Sequence, residues 1–450
     1  MSSAIGLLQF FGVSGSFKPW VNVTGLGDAF GNLRQRNQFA TLIGIGLAVL
    51  LWGPVARWRL GGRGAASIGR ALPVALPLLL AVALLATADA ISSSRTGLLQ
   101  LVVLVLLAMC WRTQAVPGMA LRLGLAVSVY AGASVMLPLL AGLDPWSSGI
   151  AGRFGDTDRV CGSRRLLWAN VLQLIAQKPW GGWGWGELDY AHFINVYTGA
   201  RFCDILDNAH NLPLHLAVEL GVPVALLACA LIAWLVLRAR PWQETDDGRR
   251  LAWSVLALVG LHSLLEYPLW YGPFQIAVVL AAWILWRRSP SADSGQPMAD
   301  TCGSVSTAMV TSGRVLAVAA LLAVAYAAWQ YHRVSQVYLA PALRAPAYRD
   351  NTLAKVQDSW LFRNQIRFAA LTLTGVTPDN AASINRSAHA LLHFSPEARV
   401  VQKLIDSALV LGDTDQAVFY MRRMRIAYPK EYAHWRETRE PVAELPAIDP

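Results

Sequence analysis

Apolar residues in this chain gather in long runs, separated by short clusters rich in arginine, glycine and proline. Eight runs read as helical spans, at about 39–56, 72–91, 97–111, 119–141, 222–237, 251–266, 270–286 and 314–331. The earlier stretch Ile5 to Val13 is too short to cross a bilayer and reads as the tail of a helix that begins upstream of this start. Met1-Ser2-Ser3-Ala4 has no basic n-region, so no signal peptide is expected. After residue 332 the pattern turns amphipathic. Apolar positions recur at helical spacing in Leu361–Leu373, Ala382–Leu392, Val400–Leu411 and Asp415–Tyr428, with Ser395-Pro396 and Gly412-Asp413 as punctuation.

The pattern predicts an all-α polytopic membrane protein with about eight transmembrane helices, a large periplasmic loop and a C-terminal helical periplasmic domain. Arginine placement sets the orientation. Arg57, Arg59, Arg63 and Arg70 lie between the first two spans, and Arg112 and Arg122 between the third and fourth. Arg238, Arg240, Arg249 and Arg250 follow the fifth, and Arg287, Arg288 and Arg314 separate the last two, whereas the alternate short loops hold only Arg95. The arginine-rich loops are therefore expected in the cytoplasm of a bacterium, and the others in its periplasm. The division runs 1–141 for an N-terminal transmembrane region, 142–221 for a periplasmic loop, and 222–288 for further transmembrane helices. A Ser-, Pro-, Gly- and Thr-rich cytoplasmic linker follows at 289–313, a last span at 314–331, and a periplasmic helical domain at 332–450. That domain reads as helical hairpins resembling tetratricopeptide repeats, without a fixed period.

Composition agrees. Hydrophobic residues make up 55% of the 450 and charged residues only 15%, which excludes disorder and argues against an ordinary soluble enzyme. The net charge of +10 could suggest nucleic acid, but the arginines flank apolar runs and do not form one basic face, so no nucleic-acid partner is expected. Cys161 and Cys203 share the outward-facing loop, where disulfides persist, and are expected to pair; the alternative is two unpaired thiols.

Five polar clusters fall on the outward side. Gly31-Asn32-Leu33-Arg34-Gln35-Arg36-Asn37-Gln38 offers amides and guanidinium groups to phosphate or sugar oxygens, or else anchors the chain at the interface. Ser92-Ser93-Ser94-Arg95-Thr96-Gly97 sets hydroxyls beside a guanidinium, as a phosphate seat or a headgroup contact. Arg164-Arg165 opens an amphipathic helix that continues to Gln177, and Pro179-Trp180-Gly181-Gly182-Trp183-Gly184-Trp185-Gly186 joins bare backbone to indoles that suit sugar rings or a membrane interface. In the fourth cluster Asp207-Asn208-Ala209-His210-Asn211 runs into Leu212-Pro213 and an apolar helix ending before Gly221. Asn208 or Asn211 can cap that helix, and His210 lies just outside its N-terminus, where backbone N–H groups favour an anion. His215 and Glu219 share one face of it. Asp204, Asp207, His210, His215 and Glu219 match no zinc spacing, and no metal is expected. Last, His262-Ser263-Leu264-Leu265-Glu266-Tyr267-Pro268-Leu269-Trp270-Tyr271 puts ionisable groups at membrane depth, where they are functional or paired within a helix turn.

Taken in order, these motifs resemble the O-antigen ligase superfamily and, within it, the bacterial protein O-oligosaccharyltransferases, or pilin glycosylation ligases. The likeness covers about residues 28–290 and rests on His210-Asn211, nine residues, then Gly221. It rests also on Ser94-Arg95-Thr96-Gly97, Gln35 with Asn37, Pro179 with Gly182-Trp183-Gly184, and His262-Ser263 with Glu266-Tyr267-Pro268-Leu269. Members have several more helices before the first full span seen here. The resemblance implies transfer of a preassembled glycan from undecaprenyl pyrophosphate to Ser or Thr of a periplasmic or pilin protein, at the inner membrane and without a cofactor. It makes His210 the catalytic base or a phosphate-positioning group. Arg95 and one of Arg164 or Arg165 would offset the diphosphate, and Gln35, Asn37, Asn211, Glu266 and Tyr267 would orient donor or acceptor. The partners implied are a lipid-linked oligosaccharide, an acceptor protein and membrane lipids. Rival readings are ligation of O antigen to lipid A–core, polymerisation of repeat units, a lipid-linked glycan transporter or flippase, and a scaffold for the helical tail.

Overall fold

A computed structural model describes residues 1–18, 20–53, 68–111, 118–150, 152, 162–287 and 307–439. Among these residues the regular structure is entirely helical. Each of the eight apolar runs forms a helix. They are α2 (Arg36–Trp52), α3 (Ile68–Ser92), α4 (Arg95–Cys110), α5 (Met119–Leu140), α9 (Val222–Ala239), α10 (Asp247–Ser263), α11 (Gly272–Trp286) and α12 (Thr307–Ser335). Helix α1 (Ser2–Phe10) precedes them, and α6 (Arg164–Gln177), α7 (Leu188–Ile194) and α8 (Leu212–Leu220) lie between α5 and α9. The stretches Met119–Leu140, Val222–Gln243 and Arg314–Tyr338 are long and apolar enough to cross a membrane, while Arg36–Trp52, Leu76–Ser92, Arg95–Cys110 and Gly272–Trp286 are shorter apolar helices. Arg57, Arg59, Arg63, Arg112, Arg288, Cys161 and Cys302 lie outside the described residues.

The chain packs as two units. The first comprises residues 1–163, 208–217 and 222–292. Helix α2 is its axis, in contact with α3, α4 and α10. Small residues let these helices approach: Gly46 lies against Leu85, Gly44 against Leu258, and Ala48, Ala86 and Ala90 are buried among Leu47, Leu51 and Leu104. Gly97 marks the tightest approach, since a Cβ there would fall 2.3 Å from Asp89 Oδ1 and 2.8 Å from Ala40 Cβ. Helix α9 contributes little to this packing. Ala225 is its buried residue, and Leu226, Leu227, Leu231, Ile232 and Leu235 are all exposed. A helix apolar on every side needs an apolar solvent.

The two ends of this unit differ chemically. At one end, arginines close helix termini. Arg122 is buried and donates to the Leu50 carbonyl at 2.7 Å; Arg249 donates to the Leu285 carbonyl at 2.8 Å and pairs with Glu244 at 2.7 Å. Arg250 pairs with Asp247 at 3.1 Å and donates to the Glu244 carbonyl at 2.9 Å. Trp111 sits beneath Arg250 and donates to the Pro241 carbonyl at 2.9 Å. Guanidinium groups here satisfy the orphan carbonyls and the negative dipole of the C-termini of α2 and α11. The other end, where α2 and α4 begin and α3 and α10 finish, holds the amides, hydroxyls and carboxylates described below.

The second unit comprises residues 164–207, 218–221 and 293–450. Its C-terminal array is α13 (Arg363–Leu373), α14 (Ala381–Leu392), α15 (Ala398–Leu411), α16 (Thr414–Ala427) and α17 (Pro429–Arg439). The amphipathic stripes pack inward: Ile384, Ala388, Leu391, Val401, Leu404, Ile405, Met421 and Met424 form one core. Gly412, with φ of 75°, ends α15, and Asp413 caps α16 by accepting from Gln416 N at 3.0 Å. Phe193 of α7 is buried in the same core and stacks on Tyr428 at 6.2 Å. The stretch read as a loop thus lends this array a helix. The tryptophan- and glycine-rich run belongs here too. Trp183 N donates to the Val218 carbonyl and Gly184 N to the Glu219 carbonyl, both at 2.9 Å. A Cβ on Gly182 would lie 2.3 Å from Glu219 C, and one on Gly221, at φ of 91°, 2.2 Å from the Trp180 carbonyl oxygen. These glycines therefore permit backbone to meet backbone. Trp183 donates to the Leu174 carbonyl at 3.0 Å, whereas Trp180 and Trp185 stay exposed.

Candidate active site

Helix α2 begins at a polar cap. Gln35 accepts from Gln38 N at 2.8 Å, which points its amide nitrogen at Glu266, whose Oε2 accepts from it. Asn37 Nδ2 donates to the other carboxylate oxygen of Glu266 at 2.6 Å, and Asn37 Oδ1 accepts from Ser94 Oγ at 2.6 Å. Ser94 in turn caps α4 by accepting from Gly97 N at 3.0 Å. One buried carboxylate therefore ties together the starts of α2 and α4 and the end of α10. Charge-assisted bonds of this kind are about twice as strong as neutral ones.

Behind this layer lies a second. His262 is fully buried; its Nδ1 is 2.8 Å from Thr41 Oγ1 and its Nε2 is 3.8 Å from Glu266 Oε2. Gln100 donates to Thr41 Oγ1 at 2.9 Å and to the Leu258 carbonyl at 3.0 Å. Thr41 Oγ1 also donates to the Asn37 carbonyl at 2.8 Å, one helical turn back. Thr41 and Gln100 carry no sequence motif. They stand out only as polar residues inside apolar helices, which is itself a signal. Asp89 is another: it is buried in the last turn of α3, and its Oδ1 finds no hydrogen-bond partner among the described residues.

Glu266 is followed by Tyr267, half-buried, whose ring meets the edge of His210 at 5.0 Å between centroids and stacks on Tyr271 at 5.9 Å. His210 adopts φ of 51°, held by a bond from its N–H to Asn208 Oδ1 at 2.9 Å. A left-handed conformation at a non-glycine residue is uncommon and clusters at functional sites. Asn211 caps α8 by accepting from Leu214 N at 3.1 Å, and its amide donates to the Leu264 carbonyl at 3.0 Å, so the histidine loop is fastened to the end of α10. His215 is buried against Trp270 at 4.9 Å; burial, helped by the charge of His210, pushes its pKa down to about 4 and keeps it neutral.

Gln35, Asn37, Glu266, Tyr267, His210 and Asn211 are thus joined by contacts within one unit. Arg95 follows Ser94, is exposed, and makes no hydrogen bond or ion pair with a described residue; Arg36, in contrast, is held by Asp28 at 2.6 Å. Arg164 and Arg165 open α6 in the second unit, Arg165 being exposed. Glu219 also belongs to that unit and accepts from the backbone N–H groups of Gly186 and Leu188, while burial raises its pKa. Cys203 is disulfide-bonded, and its expected partner Cys161 lies outside the described residues. Among the described residues no three His, Cys, Asp or Glu side chains converge. The arrangement offers an imidazole and a phenol beside a carboxylate–amide frame, with the exposed guanidinium of Arg95 next in the chain to Ser94, a set suited to deprotonating a hydroxyl beside an anion.

Three family models match the chain. One described as O-antigen ligase matches residues 80–229, one described as protein glycosylation ligase matches 29–52, and one described as virulence factor membrane-bound polymerase, C-terminal, matches 250–443. A general O-oligosaccharyltransferase of Acinetobacter baylyi is 26% identical over 181 residues, which cover 39% of this chain and 29% of that protein. A ComP-specific O-oligosaccharyltransferase of the same organism is 28% identical over 116 residues, covering 26% of this chain and 21% of the relative. The chain therefore spans less than a third of the length of either relative. No solved structure matches.

Proposed function

We propose that this chain, matched in part by the O-antigen ligase and protein glycosylation ligase models, belongs to the O-antigen ligase superfamily and is a protein O-oligosaccharyltransferase of the bacterial inner membrane. It moves a preassembled oligosaccharide from undecaprenyl pyrophosphate to a Ser or Thr hydroxyl of a periplasmic or pilin protein. The observation that carries this reading is the continuous set of contacts from Ser94 through Asn37, Glu266 and Tyr267 to His210. It joins an exposed cation, Arg95, to a candidate base at one end of the helices. The acceptor oxygen attacks the anomeric carbon of the glycan, its proton passes to the His210 imidazole, and the bond from that carbon to the diphosphate oxygen breaks. Undecaprenyl pyrophosphate leaves with its charge offset by Arg95. Tyr267 fixes the ring of His210, and Asn211 fixes its loop. Arg164 and Arg165 are further candidates for the donor anion, each tested by substitution.

The same reading holds that all eight apolar helices cross the membrane, that residues 142–221 and 332–450 are periplasmic, and that Cys161 and Cys203 form a disulfide. The contrast between the arginine end and the amide–carboxylate end supports this orientation. The matches to O-antigen ligase and to a membrane-bound polymerase favour a second reading, in which the acceptor is lipid A–core or a growing glycan. Purified chain incubated with lipid-linked glycan and an acceptor protein, followed by mass spectrometry, separates the two. Glycopeptides bearing a Ser- or Thr-linked oligosaccharide support protein transfer; product confined to lipid or glycan supports the second. In cells without other ligases, His210→Ala is expected to insert normally and to lower transfer by about 10²–10⁴-fold. Near-normal glycosylation by that variant would remove His210 from the mechanism.

A further inference from the structure

Helix α14 has two useful faces. Ile384, Ala388 and Leu391 turn into the core, while Ser383, Arg386, Ser387 and Ala390 are exposed. Together with Asn364, Arg367 and Thr374 of α13 and its following turn, these exposed residues border a groove of about 490 Å³. Its lining includes Ala370, Leu371, Ile384 and Leu391 as apolar floor, with hydroxyls, amides and two arginines around them. None of the lining residues is acidic and none is aromatic. Neither Arg367 nor Arg386 is in an ion pair among the described residues.

We propose that this groove binds an extended, acidic segment of polypeptide. Two unpaired guanidinium groups select carboxylates, and the surrounding Asn and Ser side chains can both donate to and accept from a peptide backbone. The floor accommodates small apolar side chains. From Asn364 to Thr374 the groove runs about 15 Å along the helix, the length of about four or five extended residues. A membrane surface is the lesser fit, because interfacial helices carry aromatic and large apolar anchors, and this lining has no aromatic residue. That the bound segment belongs to the glycosylated acceptor rests on the function proposed above; the binding itself does not.

The full chain in detergent is titrated against a short fluorescein-labelled peptide of alternating Asp and Ser, followed by anisotropy. Saturable binding that weakens with salt is expected, together with a loss of about tenfold or more in Arg367→Glu/Arg386→Glu. The Asn–Ser counterpart should bind more weakly than the acidic peptide. Ser387→Trp, which fills an exposed position without altering charge, should also weaken binding and guards against misfolding of the double variant. Equal binding by wild type and variants overturns the proposal, as does no binding by wild type. So does binding to phosphatidylglycerol nanodiscs that the variants lose while the peptide is ignored. His210→Ala separates this groove from the transfer reaction. Peptide bound by a chain that never transfers glycan leaves the groove standing and fails the function. Robust transfer with an acceptor KM unchanged in Arg367→Glu/Arg386→Glu fails the groove alone.

Discussion

Replacing Glu266 by Gln would set an amide nitrogen against those of Gln35 and Asn37, which both donate to this carboxylate. Hydrogen bonds to a charged group contribute about 1.5–3 kcal/mol each, so Glu266→Gln is expected to lower transfer by about tenfold or more through displacement of Tyr267 and His210. Comparing kcat and KM with unchanged membrane yield checks this. Arg95→Lys should be nearly as damaging as Arg95→Ala if the planar fork grips a diphosphate, and nearly silent if the residue only touches headgroups. The transfer assay distinguishes the two. Elsewhere, burial pushes the His192 pKa down to about 3, aided by the charge of Arg201 and opposed by the Phe202 carbonyl. The unfolded chain takes up a proton near pH 6.5 and the folded one does not. Stability should therefore fall as pH drops below about 6.5, and thermal melts of His192→Leu should show a flatter acid limb. Asp189, one turn earlier and raised to about 7 by burial, runs the opposite way, costing stability as pH rises toward that value. The motif residues were legible in the sequence because polar clusters interrupt apolar runs. Their pairing was not, since Gln35 and Glu266 are far apart along the chain and nothing in local composition links them. Thr41, Gln100 and Asp89 leave only a faint mark in the sequence, because a single polar residue barely perturbs an apolar window.

At the scale of elements, the glycines define which contacts tolerate no side chain. Gly97→Ala would press a methyl group on Asp89 and Ala40, and overpacking of this sort costs about 1–3 kcal/mol. It should lower thermal stability in detergent and loosen Ser94 from Asn37, seen as reduced transfer. Gly221→Ala adds left-handed strain to a clash with the Trp180 carbonyl and should be at least as destabilising. The indoles of the tryptophan- and glycine-rich run were read as suited to sugars or a membrane interface; its glycines have a different task, since Gly184 N donates to the Glu219 carbonyl and Gly182 lies against the Glu219 backbone. Sequence periodicity placed a helix at each apolar run and each hairpin, most of them to within about four residues, while the last apolar helix begins at Thr307, seven residues before the run read at 314–331. It missed α7, which is too short for a period to emerge, and α17, whose Lys430, Glu431, His434 and Arg436 hide an apolar pair, Tyr432 and Trp435.

At the largest scale, the deciding property of the first unit is polarity from end to end. Helix α2 is 17 residues long, about 25 Å, and separates Gln35 and Asn37 from the Leu50 carbonyl that Arg122 holds. Single cysteines near positions 35, 95 and 267 should react with an impermeant maleimide from outside the cell, and cysteines near 122 and 249 should not. The reverse labelling would put the proposed site in the wrong compartment. Arginine spacing is what predicts this orientation, and the labelling pattern is its test. The grouping of α6 and α7 with the C-terminal array was hidden, because Phe193 finds its neighbours among residues far along the chain.

Helix α9 presents almost all of its apolar surface outward and is joined through Gly221 alone to the helix whose start carries the histidine. With so little packing to fix its angle, a spanning α9 is expected to adjust its tilt to hydrophobic thickness. Lipid composition would then act as a governor of turnover, and reconstitution into thin and thick bilayers should give different rates from one and the same protein.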